Sequence, residues 1–293
     1  MRKGNIFTIY KLKNNNQGVA SVVVAVLLIG LLFTFLSYMQ MNQIPDWTEE
    51  REAEHMNKVS DQFSKLKFSV DILSTMDESG NKITTDITLG TKEIPLPFLE
   101  SGKSYGYLKP LDDKFKINIT DQTPNLYKYN LESIRYTSRN TEYTDMEFIY
   151  EAGGVIINQN NGNIMYISPY FSINYASSVD ITFDAVNFSD DTGNIHTTGH
   201  GSAPILLEYV RKNVSTINNV DTIDIMTHYT TAWYNFLNST LESSGLTYGS
   251  GNDYIIIESN NEVSIDFNNA LLVNLNLGII EIIFQVGPGW ITK

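Results

Sequence analysis

The chain has 293 residues, 42% of them hydrophobic, no cysteine and a formal net charge of −13. The lack of cysteine excludes thiol catalysis, thiolate metal sites, palmitoylation and disulfide staples, and at this length a core alone can hold a domain. So acidic a balance argues against a phosphate-binding face, and nucleic acid is not an expected partner.

The charge is unevenly placed. Residues 1–45 carry Arg2, Lys3, Lys11 and Lys13 and no acid, and the remaining 16 basic and 33 acidic residues leave a net of −17. Between the basic start and the acidic remainder lies Gly18–Met41, GVASVVVAVLLIGLLFTFLSYMQM, without a single charge. A bilayer's hydrocarbon core takes roughly 20 apolar helical residues. The run is long enough and has no polar face, which predicts a membrane-spanning helix over 19–44, with Val22, Val26, Leu27, Leu31, Phe33 and Phe35 on its surface. Basic residues ahead of the span place the N-terminus inside and the large acidic part outside.

Residues 1–18 are too polar, and the apolar run too long, for an ordinary secretory signal with its short apolar stretch and A-x-A site. A basic leader, a small residue and then an intact hydrophobic helix resemble the precursors of type IV pilins. The segment QGVASVVVAVLLIGLL resembles the N-terminus of archaeal type IV pilin-like proteins, with their class III signal peptides. The resemblance implies that a prepilin peptidase removes the leader after Gly18, leaving Val19 first, with Ala20 as the second candidate. It also implies that the freed helix packs with like or related pilin subunits in a filament. Gln17 stands where the family favours a basic residue. Val23 stands where bacterial pilins carry glutamate, which points to archaeal kinship. An uncleaved signal anchor is the alternative.

Pro45 is expected to interrupt the helix, and Asp46, as N-cap with Glu49 three residues on, to restart it as a stalk over 45–76. Trp47 suits the membrane–water boundary. Met56, Val59, Phe63, Leu66, Val70 and Leu73 form an apolar stripe along ~27 Å of helix. The stripe faces either the chain's own head or, as a coiled coil, a neighbouring subunit.

From Asp77 onward the period changes to two. Ile83–Leu89, Phe115–Ile119 and Val263–Phe267 alternate, with turn clusters at Gln159–Asn163, Asp190–Asn194 and Ser250–Asp253. Ten or more short strands predict a mainly β, antiparallel, sandwich-like head over 77–293, α+β by virtue of one helix near 227–244. On that helix Trp233, Phe236, Leu237 and Leu241 share a face, and Gly245 ends it. Asn269–Val286 is apolar but broken by Asn274, Asn276 and Glu281, which reads as two buried strands rather than a second span.

The segment Leu131–Pro169 resembles a group of uncharacterised archaeal pilin-like surface proteins. It does so in Tyr150-Glu151, Gly153-Gly154-Val155-Ile156, Gln159, Gly162 and Pro169. Gly153-Gly154 suits a bulge or a close approach of backbones. Signs of chemistry are few. His196 and His200 are four apart but in a Thr/Gly-rich loop without the Glu of H-E-x-x-H, and Asp190–Asn194 lacks the distal Glu of a calcium loop. No metal, cofactor or catalytic residue is expected. Four sequons, at Asn118, Asn187, Asn213 and Asn238, agree with an outside location and with a glycoprotein. The expectation is a non-enzymatic, membrane-anchored or filament-forming surface protein, adhesive or structural, with a minor-subunit role included. The alternative is an uncleaved ectodomain that binds a surface ligand such as glycan.

Overall fold

The computed structural model describes residues 16–95, 99–111, 115–189 and 196–287. The leader up to Asn15 and the Asp190–Asn194 cluster lie outside these residues. A single long helix comes first: α1 (Asn16–Tyr38), a π-helical stretch Met39–Gln43, and α2 (Ile44–Met76).

The head then supplies sixteen strands among the described residues. The first eight are β1 (Lys82–Thr88), β2 (Tyr105–Pro110), β3 (Phe115–Asp121), β4 (Leu126–Leu131), β5 (Ile134–Arg139), β6 (Glu147–Glu151), β7 (Gly154–Gln159) and β8 (Gly162–Ile167). After them come β9 (Tyr170–Tyr175), β10 (Val179–Ser189), β11 (Thr197–Gly199), β12 (Ser202–Ile217) and β13 (Val220–Met226). Helix α3 (Thr230–Ser243) precedes β14 (Tyr254–Ser259), β15 (Glu262–Phe267) and β16 (Val273–Val286). A mainly β head behind one long N-terminal helix is the predicted class. Its detail is three sheets, ordered β1-β12-β16-β10-β9, β11-β2-β5-β6-β7-β8 and β14-β15-β13-β3-β4.

The first sheet is the wall between two cores. Along β16, Val273, Leu275 and Leu277 enter one core, whereas Ile280, Ile282, Phe284 and Val286 enter the other. Side chains alternate across a strand, so these odd and even sets point to opposite faces. Strand β10 switches in the same way, from Val179, Ile181, Phe183 and Ala185 to Val186 and Phe188. Strand β12 makes the switch with a bulge between Tyr209 and Arg211, which puts Tyr209 on one face and Ile217 on the other. One core lies under α2 and is closed by the second sheet through Leu108, Ile134, Tyr136, Phe148 and Tyr150. The other lies under α3 and is closed by the third sheet through Ile117, Ile119, Ile223, Ile225 and Ile265.

Several expectations change. Pro45 does not break the helix, and Asp46 is not its N-cap: the residue before α2 is Gln43, in right-handed helical geometry and without a side-chain cap. The π stretch explains this. Proline lacks an N–H and crowds the carbonyl four residues back, and here the chain has already widened, with Ile44 N–H bonded five residues back to Met39 O. Leader aside, the predicted span and stalk are therefore one continuous helix. Asn269–Val286 holds one strand, β16, not two. Its run is parallel to β10 from Val179↔Val273 to Ser189↔Ile283, so the head is not purely antiparallel. The polar residues within it sit on faces turned from the cores: Glu281 receives the Arg211 guanidinium at 2.8 Å, and Asn276 accepts from Thr216 Oγ1. Helix α3 begins at Thr230 rather than near Thr227, because Tyr229 before it lies outside helical geometry at φ −106°, ψ 49°. Trp233, Leu237 and Leu241 are buried on its inner face, and Gly245, at φ +93°, ends it.

Candidate functional site in the N-terminal helix

The two halves of the long helix meet opposite environments. Val22, Val26, Leu27, Leu31, Phe33 and Phe35 are all exposed, Leu31 at 71%. Thr34 turns its hydroxyl back to the Gly30 carbonyl at 2.8 Å, so even this polar group adds nothing to the helix exterior. At 23 residues α1 is ~35 Å long. Among the described residues this is the one helix long and apolar enough to cross a membrane. Gly18 and Val19, the expected processing point, fall within its backbone span.

On α2 the stripe Met56, Val59, Phe63, Leu66, Val70 and Leu73 is buried, none of the six more than 2% exposed. Its cover is the chain's own head, with the Phe63 ring 5.5 Å from that of Phe148 and 6.5 Å from that of Tyr136. A coiled-coil contact through this stripe is thereby ruled out, since the face is occupied.

Polar residues beside the stripe fasten the helix in register. The buried Glu52 carboxylate accepts the backbone N–H groups of Thr141, Glu142 and Tyr143 at 2.8, 2.9 and 2.8 Å. His55 Nε2 donates to the Thr88 carbonyl, and burial lowers its pKa and keeps the ring neutral. Gln62 accepts the Thr88 N–H and donates to Asp86, so it substitutes for a neighbouring strand at the edge of β1. Asp77, in left-handed geometry at φ +50°, ends α2 and receives the Tyr209 hydroxyl.

The remaining candidates scatter. Asn118, Asn187, Asn213 and Asn238 lie on β3, β10, β12 and α3. Only Asn213 is exposed, and the Asn187 side chain is committed to the Glu132 N–H at 2.8 Å. His196 and His200 flank the short strand β11, and the His200 ring packs edge-on against Tyr105. No group of three metal-ligating side chains occurs among the described residues.

A second site in the head was not foreseen. At the end of β6, Glu151 is buried and accepts both the Thr227 hydroxyl at 2.7 Å and the Trp233 indole N–H at 2.8 Å. Burial pushes its carboxyl up to about 7, against the pull of these two donors and of His228. The tight turn Ala152-Gly153, both at positive φ, puts β7 beside β6. Gly154 is held so close that a Cβ would meet Met165 Sδ at 2.8 Å and Pro169 Cδ at 3.2 Å. Glu151 is among the residues that line a cleft of about 670 Å³, with Leu111, Phe115, Met226 and the exposed Lys116, His228 and Asn261. The hint in the sequence was one acid in FIYEAGGVII, a run otherwise wholly apolar. No protein-family model, curated protein or solved structure matches the chain.

Proposed function

We propose that this chain is a pilin-like, non-enzymatic surface protein whose N-terminal helix holds it in a membrane, or in a filament, and presents the acidic head outside. One observation carries the reading. A single continuous helix buries one face of its second half in its own head and leaves the described residues of its first half apolar and, but for Leu36, exposed. That much apolar surface is stable only against lipid or against the helices of neighbouring subunits. The basic residues before it orient the leader toward the cytoplasm. In this reading a prepilin peptidase cuts after Gly18, Val19 becomes the first residue, and membrane lipid and like or related pilin subunits are the partners of α1. Structural or adhesive work falls to the head, whether as a main or a minor subunit.

The test is the N-terminal residue of the protein recovered from host membranes. A start at Val19, abolished when Gly18 is replaced by a bulky residue, supports processing and makes assembly the next question. An intact Met1 leader overturns the pilin part and leaves a signal-anchored ectodomain. The cleft over Glu151 favours that second reading, because it is a concave place for a small surface ligand such as glycan.

A further inference from the structure

The head reaches back toward α1. After β1, the chain descends beside the helix, and Gln40 Nε2 donates to the Glu100 carbonyl at 2.9 Å. Next to that bond, Leu99 shares with Leu32, Phe33, Leu36, Ser37 and Gln40 a groove of about 450 Å³. The axial position of these residues matters. Centring Gly18–Met41 on a hydrocarbon layer of ~30 Å puts its boundaries near residues 20 and 39. Leu36 then lies ~5 Å, and Leu32 ~11 Å, beneath the outer boundary at 1.5 Å per residue. Leu99 lines the same groove, whose walls run from the level of Gln40 down to that of Leu32.

We infer that the head presses Leu99 into the outer leaflet beside α1, and that the acyl chain of a membrane lipid fills the groove between them. This rests on the membrane reading of α1. The groove is walled by leucine and phenylalanine, its polar members Ser37 and Gln40 stand at the upper end, and the Gln40 amide is engaged by Glu100. Its lower wall is continuous with the exposed apolar surface of α1, so whatever covers that surface also reaches the groove. The sequence Ile94-Pro-Leu-Pro-Phe-Leu99 is uncharged, Lys92, Glu93, Glu100 and Lys103 flank it, and Lys103 pairs with Glu93 at 3.1 Å.

The absence of native cysteine makes site-specific labelling direct. Full-length Leu28→Cys, Leu99→Cys and Lys128→Cys variants are labelled with an environment-sensitive fluorophore and placed in phosphatidylcholine vesicles containing nitroxide lipids of shallow or deep position. The expected result is strong quenching at 28, and at 99 several-fold more quenching than at 128, greatest with the shallow nitroxide. Quenching at 28 but not at 99 overturns this inference and leaves the membrane reading intact. A blue-shifted but unquenched label at 99 also overturns it, because protein, such as the helix of a second copy, then fills the groove. Lack of quenching at 28 overturns the membrane reading and this inference together.

Discussion

Replacing Glu151 with Gln should make the protein more stable above neutral pH while changing little in acid. The carboxyl rises from its ordinary 4.5 to about 7 on folding because it is wholly enclosed. The sign follows from proton counting: between these values the folded state holds a proton that the unfolded state has released, so raising the pH works against folding. The contribution is fully present below about 4.5, declines as pH rises toward 7 and is gone above it, a loss of about 3 kcal/mol at 1.36 kcal/mol per tenfold. The Glu151→Gln side chain keeps an oxygen for the Thr227 hydroxyl and the Trp233 indole, and it cannot ionise. Guanidinium unfolding of both full-length proteins in detergent, followed by tryptophan emission at pH 5, 6, 7 and 8, measures the difference. Trp233, one of three tryptophans, donates to Glu151, so part of the emission change reports on the site. The variant should gain about 2.5 kcal/mol relative to wild type between pH 5 and 8. Equal pH dependence of the two proteins would refute the reasoning, since the carboxylate would then be no worse off inside than in water.

Two further substitutions probe how the helix is fastened. Phe63→Ala removes a ring buried against Phe148 and Tyr136 and should cost ~3–5 kcal/mol, whereas Phe68→Ala, on the exposed side of the same helix, should stay within ~0.5 kcal/mol. Chemical denaturation ranks them, and similar losses would mean that the stripe does not carry the docking. Glu52→Ala leaves three backbone amides without their acceptor. Solvent can reach the partly exposed loop, so the loss should be ~2–4 kcal/mol rather than the full sum of three bonds. Hydrogen exchange should quicken at Thr141, Glu142 and Tyr143, and unchanged exchange there would contradict the geometry.

What could be read from the sequence was periodic. The uninterrupted apolar run, the stripe from Met56 to Leu73 and the alternation in β1, β3 and β15 each repeat a pattern whose cause is local, one face against one environment. What escaped was non-local. Two cores on opposite faces of one sheet need β16 to change its buried face between Leu277 and Ile280, and the sequence shows this only as a continuous run, LGIIEII. The same ambiguity made one strand look like two. Pro45 was misread because a proline's effect depends on the turn before it, and the π-helical hydrogen bond at Ile44 has no sequence period of its own. Glu151 was missed because its partners, Thr227 and Trp233, lie more than 70 residues away along the chain. A buried acid and a strand-end acid look alike until the partners are placed.

The contrast between the helix halves makes a stricter demand on register than on composition. An alanine inserted after Gly30 rotates the preceding part of α1 by ~100° and lengthens it by ~1.5 Å. That segment is apolar all round, so neither change alters what it presents to lipid. The same insertion after Val59 turns Phe63, Leu66, Val70 and Leu73 out of a core in which Met56 and Val59 remain. At ~1.5–3 kcal/mol per fully buried side chain, four displaced residues forfeit ~6–12 kcal/mol, comparable with the whole stability of a domain. The first variant should accumulate in membranes with a protease-resistant head, and the second should be degraded. Resistance retained after the second insertion would mean that the head folds without α2, and that the stripe is a passenger on a β domain complete in itself.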